Sequence, residues 1–397
     1  MNRQYCSALK HLAALAAALV VLAAPAPARG TGPDGEGFDL GGTVGLFGKY
    51  NSNLNLDDTG PGGPGRKSAF LAEPNAALRL SGTWDPRWWL DLEYAGQGNF
   101  HARHGGENWY FNRARLALSR FIGPHSLNLS SQVRHFTEPG DDRHDFLRHT
   151  GILSYRHRFS DRWQARAGYE NILTRYPETP SLDYTVHGLF AELRTAWTPR
   201  LTTHYLVDLQ YYRGTADPQE NNPNASPEEG NRNTFRVGFD WVTSKRGLLS
   251  GTYTFQDDQS DTADGVQQIG EFEGYEESQD IEAEFDLRKH KATLLYSQRW
   301  GRRFTFAAYG EWIRKRFDQT IEIEQEGTDE DGDEEEEIKL PGERRTNTLF
   351  LSSAFLKARI DDRWRLKLRY LFRLQRSSAP RQDYTDHIIF FGPEFSF

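Results

Sequence analysis

Apolar and polar residues alternate along most of this chain. In NTFRVGFDWV (233–242), Phe235, Val237, Phe239 and Trp241 fall on one side, and Arg236, Gly238 and Asp240 on the other. In RWRLKLRYLFR (363–373), Trp364, Leu366, Leu368, Tyr370 and Phe372 oppose Arg365, Lys367, Arg369 and Arg373. In LTTHYLVDLQY (201–211), Leu201, Thr203, Tyr205, Val207 and Leu209 oppose His204, Asp208 and Gln210. A period of two over such lengths predicts strands with one apolar and one polar face. Strands of ~9–11 residues with that pattern suit a membrane-spanning barrel.

The connections alternate in kind. Short ones recur: WDPRWW (84–89), FIGPHS (121–126), FSDRW (159–163), WTPRL (197–201), TSKRG (243–247), WGRRF (300–304) and IDDRW (360–364). Between them fall connections that are longer on average: 54–67, 99–107, 138–145, 177–181, 215–232, 257–277, 318–343 and 377–384. Seven short turns and eight loops join sixteen strands. The expected fold is therefore all-β: a closed antiparallel transmembrane β-barrel of 16 strands over 37–397, with short periplasmic turns and longer extracellular loops. An even count puts both chain ends on the short-turn side. Trp84, Trp88, Trp89, Trp163, Trp197, Trp241, Trp300 and Trp364 lie beside short turns, while Trp109 and Trp312 do not. Indole favours a membrane–water boundary, so this bias predicts a one-sided girdle. The rival explanation is tryptophan packing near the turns of a soluble all-β protein.

Composition supports the membrane reading. Apolar residues make up 37% of the chain and mean hydropathy is −0.73, thin for large buried cores, yet aromatics reach 13%. After residue 28 no apolar run reaches the length of a spanning helix. Residues 1–28 read as a secretory signal: Arg3 and Lys10, then LAALAAALVVLAA (12–24), then the small-residue APA (26–28). Residues 29–36 would form a short periplasmic segment. The single cysteine, Cys6, lies inside the signal. A mature chain without cysteine excludes disulfides, thiolate metal sites and c-type haem attachment. No metal or cofactor is expected.

The chain ends HIIFFGPEFSF (387–397), with Ile389, Phe391, Phe395 and Phe397 on one side. A terminal strand ending in Phe after a secretory signal resembles the closing strand of Gram-negative outer-membrane β-barrels of porin-like type. The resemblance implies that barrel-assembly machinery reads Phe395 and Phe397. It also implies closure against the first strand, FDLGGTVGLFGKYNSN (38–53). More weakly, YNSNLNL (50–56) is similar to the Tyr-Asp-Ser-Asn opening of surface-assembly barrels, including the surface lipoprotein assembly modifier group, with Asn51 where Asp is commoner.

Alternation also assigns a lumen. Its candidate pore-lining bases are Arg113, Arg115, Arg134, Arg156, Arg158, Arg166, Arg365, Lys367, Arg369 and Arg373. Lys49, Arg79, Arg194, Arg236, Lys291, Arg299, Arg303, Lys315, Lys357 and Arg359 share their side. Fewer acids join them: Asp39, Glu73, Asp91, Glu93, Glu170, Glu192, Asp208, Asp240 and Glu311. An excess of Arg and Lys biases a pore toward anions. The alternative is that these bases pair with the acids and with lipopolysaccharide phosphates. Two stretches concentrate the opposing charge, 25 of the 56 acids: 257–286 holds twelve acids and no base, and 318–343 holds thirteen acids with Lys339. Both read as acidic extracellular loops (257–277 and 318–343), solvated or weakly binding Ca²⁺. The segments around DEDGDEEEE (329–337) alternate like a hairpin.

No G-x-S-x-G, H-E-x-x-H or G-x-G-x-x-G motif occurs, and the histidines, as in HARH (101–104) and RHDFLRH (143–149), are scattered. No catalytic residue is assigned. The sequence predicts a porin-like barrel passing or exporting hydrophilic, anionic solutes or polymer. Its rivals are a surface assembly or display barrel and a sheath around an electron-transfer cytochrome. Expected partners are outer-membrane lipid and lipopolysaccharide, the barrel-assembly machinery and a periplasmic or surface protein, with no nucleic acid.

Overall fold

A computed structural model describes residues 37–52, 69–101, 108–138, 145–178, 180, 183–214, 229–260, 287–320, 324–325, 338–339, 344–378 and 383–397. The expected signal (1–28), the segment 29–36 and most of the loop residues lie outside these.

The chain forms β1 (Gly37–Asn51), β2 (Ala69–Asp85), β3 (Trp88–His101), β4 (Trp109–Ile122), β5 (His125–Thr137), β6 (Phe146–Arg158), β7 (Trp163–Arg175), β8 (Tyr184–Thr198) and β9 (Leu201–Gly214). There follow β10 (Glu229–Ser244), β11 (Gly247–Ser260), β12 (Leu287–Trp300), β13 (Phe304–Thr320), β14 (Glu324–Gln325), β15 (Ile338–Lys339), β16 (Arg344–Arg359), β17 (Trp364–Ser377) and β18 (Tyr384–Ser396). All but β14 and β15 close into one antiparallel barrel of sixteen strands in which each pairs with its sequence neighbours and β1 pairs with β18. The chain is thus an outer-membrane-type β-barrel, as the alternation predicts. Strands β14 and β15 pair with each other and form the expected hairpin of the acidic segment.

Several strand ends differ from the expected loop bounds, among them the end of β13 at Thr320. β3 runs on to His101, β10 begins at Glu229 and β11 continues to Ser260. Apart from Phe100 these stretches are polar on both sides, yet their backbones stay in the ladder, as at Asn231↔Gln259. Hydrogen bonding sustains the strand where no apolar stripe marks it.

The outer face is apolar, and nothing among the described residues covers it. Leu189 is 64% exposed, Phe391 55% and Leu209 53%. Only hydrocarbon accommodates such a continuous surface, and closure satisfies every edge that hydrocarbon would leave unpaired. At the short-turn rim Trp163, Trp197, Trp241, Trp300 and Trp364 are exposed on this face, forming the girdle. Trp109 is buried on the inner side instead.

The shared flavour of the short turns has a common cause. Asp85 Oδ1 accepts the N–H of Arg87, and Ser244 Oγ that of Arg246. Ser160 Oγ accepts from Arg162 and Trp163, Thr198 Oγ1 from Arg200 and Leu201, and Asp361 Oδ1 from Arg363 and Trp364. A short polar side chain folds back on its own backbone and sets the turn. The two donated N–H groups hold the Asp361 carboxyl below the usual carboxylate range. The other two turns use Gly123 and Gly301 at φ 60° and 62°, where a side chain would be strained.

The seam is the thinnest joint. β1 pairs with β2 along its whole length, from Gly37↔Thr83 to Asn51↔Ala69, but with β18 only from Thr43↔Ser396 onward. Phe397 extends it: its N–H donates to the Gly42 carbonyl and its carbonyl accepts from the Gly42 N–H, both at 3.1 Å.

Candidate functional site

Inward side chains alternate along every barrel strand, so the candidate site is the lumen, which has two unlike halves. One half is open. A cavity of about 1110 Å³ is lined from β4 round to β13. Its bases are Arg115, Arg134, Arg148, Arg166, Arg194, Arg232, Arg236, Lys289 and Lys291; its acids are Glu170, Glu192, Asp208 and Asp240. The register puts like charges side by side. Arg113 faces Arg134 and Arg134 faces Arg148, giving a row of three guanidiniums across β4, β5 and β6. Lower down, Arg156 faces Arg166 across β6 and β7. Like charges directly opposite in a sheet repel. Some are offset: Arg113 pairs with Glu93 at 2.6 Å, Lys291 with Glu311 at 2.9 Å and Arg232 with buried Asp258 at 3.0 Å. Arg166 reaches Glu192 only at 3.8 Å. Arg148 donates to Thr174 at 3.0 Å and lies over the Phe146 ring, and Arg236 donates to Thr254. Arg115 and Arg194 have no acid partner among the described residues. Arg156 and Arg158 line a second recess beside the turn at Gly123 and Pro124.

The other half is filled. From β13 to β18, Leu351, Leu371, Ile388 and Phe390 pack inward with Tyr309 against them, and Ile313, Leu349 and Tyr384 form a second group. Cations lie on aromatic faces there: Lys49 and Arg369 at 5.2 and 5.6 Å from the Phe390 ring, Lys367 at 5.5 Å from Phe47. The candidate pore-lining bases of β17 meet carboxylates of β18. Glu394 receives Lys367 directly, Arg365 at 3.4 Å and Lys357 at 3.7 Å. Arg373 and Asp386 form a buried pair at 2.7 Å. Arg369 donates to Ser353 Oγ. Arg365, Lys367, Arg369 and Arg373 point inward, onto a wall where Glu394 and Asp386 offset part of their charge.

Sequence reasoning missed these partners. Glu394 and Asp386 share the inward parity of Ile388 and Phe390, a face masked by the unbroken IIFF run. Arg148, Arg232 and Lys289 were missed as inward bases because they sit near the loop ends of β6, β10 and β12. At that same rim Trp109, Phe111, Phe136, Phe146 and Tyr176 form a buried inner aromatic cluster, with Tyr184 against it.

The central role of Glu394 gives a testable expectation. Glu394→Gln removes one carboxylate from beneath three bases that remain partly solvated. It should destabilise the barrel by about 1–3 kcal/mol. The folded, fast-migrating band on gels should be lost at a lower temperature than in the unchanged protein; equal temperatures would show that Glu394 carries no such load.

No protein-family model and no curated protein matches this chain. Among solved structures it is similar to a bacterial polysaccharide outer membrane secretin (9% identity, TM-score 0.43, covering 89% of this chain and 97% of that one). It is also similar to a loop L8 deletion mutant of OmpT, an outer membrane protein of Vibrio cholerae (11%, 0.45, 92% and 100%). Pseudomonas aeruginosa OccK1 (OpdK) is a third (10%, 0.48, 91% and 100%).

Proposed function

We propose that this barrel is an outer-membrane channel that passes hydrophilic anions through the open half of its lumen. The observation that carries the reading is the lining of the open cavity, nine bases against four acids. Guanidiniums aligned along a water-lined wall lower the free energy of an anion between them and raise that of a cation. The packed apolar side chains of the other half confine solutes to the open side. The filled half and the inner aromatic cluster also suit a barrel with a narrow lumen that displays a partner, so conductance decides between the readings. In a planar bilayer with a salt gradient, the purified barrel should conduct with a reversal potential on the anion-selective side. A folded barrel that does not conduct would favour surface display or a cytochrome sheath, and cation preference would refute the reading outright.

Orientation follows from the same proposal. The short-turn rim would face the periplasm and the acidic segments the exterior. An epitope inserted near Gly332, outside the described residues, should be labelled by antibody on intact cells. Labelling only after permeabilisation would invert the barrel.

A further inference from the structure

A pentapeptide recurs at the loop rim: DFLRH (145–149), DYTVH (183–187), DLRKH (286–290) and DYTDH (383–387). Asp145, Asp183 and Asp383 accept the backbone N–H of Glu138, Tyr176 and Ser377, clamping the strand that enters the loop to the one that leaves it. The apolar second residue points inward. The histidine, four places on, points outward. Opposite each histidine the neighbouring strand is eight residues from its own start: Val133 in β5, Asn171 in β7, Phe255 in β11 and Phe372 in β17. The four histidines therefore share one height. At ~2.5 Å of rise per residue in tilted strands, that height is ~20 Å above the tryptophan girdle, close to the top of an apolar band of ~25 Å.

Three of these rings are held alike. Tyr169, Tyr253 and Tyr370 hydroxyls lie 2.6, 2.8 and 2.8 Å from Nδ1 of His187, His290 and His387. A tyrosine that donates to Nδ1 leaves the ring proton on Nε2, a donor at the membrane boundary. At one place the ring gains fixed charge. His290 faces Arg314, and Arg288 faces Arg316, across β12 and β13 on the outer surface. Arg288 pairs with Asp257 at 3.0 Å, whereas Arg314 and Arg316 are exposed and make no ion pair among the described residues. Among the described residues, three guanidiniums and an imidazole against one carboxylate, at headgroup height on a surface otherwise turned to hydrocarbon, call for an anion supplied by the membrane itself.

We propose that Arg288, His290, Arg314 and Arg316 form a binding site for the phosphate of a membrane glycolipid headgroup, within a histidine ring that marks the outer interface. This rests on the placement of the barrel in an outer membrane, but not on its acting as a channel. The purified barrel in detergent is mixed with bisphosphorylated lipid A, with the same glycolipid freed of phosphate, or with inorganic phosphate. The temperature at which folded migration is lost on gels is then read. Bisphosphorylated lipid A should raise it and the phosphate-free form should not. The Arg314→Gln/Arg316→Gln variant should need about tenfold more of the phosphorylated lipid for the same shift, and His290→Gln should need several-fold more. Equal stabilisation by the phosphate-free lipid, or an unchanged dose dependence in the double variant, would overturn the site. The same shift from inorganic phosphate alone would overturn the lipid as its source. The double variant should keep the ion selectivity of the unchanged protein. A non-selective unchanged protein that still binds the lipid would fail the channel reading and leave this one standing.

Discussion

Replacing Arg115, Arg134 and Arg194 with glutamine should cut the anion-to-cation permeability ratio of the open channel by about tenfold. All three line the open cavity, and neither Arg115 nor Arg194 meets a carboxylate among the described residues. A unit charge ~7 Å from a passing ion in water contributes about 0.6 kcal/mol, so three removed together approach a factor of ten or more at low salt. The effect should shrink as ionic strength rises, because the screening length falls from ~10 Å at 0.1 M to ~3 Å at 1 M. Glutamine keeps the length and a donor, and relief of the repulsion between Arg134 and its neighbours Arg113 and Arg148 should leave the fold intact. The matching triple on the other wall, Arg365, Lys367 and Arg369 to glutamine, should change selectivity far less, because Arg365 and Lys367 already share Glu394. Reversal potentials measured for both triples in the same gradient decide the matter. If the β17 triple shifts selectivity as much as the cavity triple, the division of the lumen into an open charged half and a packed, partly paired half is wrong.

That division was only partly legible in the sequence. Alternation alone gives strand number, the faces of each strand and the tryptophan rim, because a period of two admits one lipid side and one lumen side. It does not give distance around the barrel. Arg113, Arg134 and Arg148 are spread over 36 positions of sequence but adjacent in register, whereas Lys367 and Glu394 look remote yet touch. Where both faces are apolar, as at Ile388, Ile389, Phe390 and Phe391, the pattern conceals which residues fill the lumen. Ile388 and Phe390 pack inside while Ile389 and Phe391 face out. The repeated Asp-to-His pentapeptide was visible as letters. Its meaning depended on register, since only the partner strands show that the four histidines share one height.

Deleting Phe397 should lower the yield of inserted barrel and the temperature of its heat-modified migration more than Phe397→Ser does. The two changes remove different things. Truncation takes away both hydrogen bonds to Gly42 at the seam, leaving those β1 groups to find other partners at the membrane edge. The serine variant keeps the backbone pair and loses only the ring. That ring lies so close over Gly42 that a Cβ there would come within 2.5 Å of it, and its centroid is 6.4 Å from that of Phe395. Covering it is worth about 1.5–3 kcal/mol, a large share of stability at a joint where β1 meets β18 over little more than half its length. Gly42→Leu supplies an independent check. It forces the ring aside without changing Phe397, and because its Cβ also meets the Ala77 carbonyl at 2.8 Å it should weaken the seam at least as much as the serine variant. If insertion into cells fails equally for Phe397→Ser and the truncation while Gly42→Leu inserts well, the ring is being recognised during assembly, not used to hold the seam. Unchanged yield and migration for the truncated chain would show that closure is secured by the pairs from Thr43 to Asn51 alone.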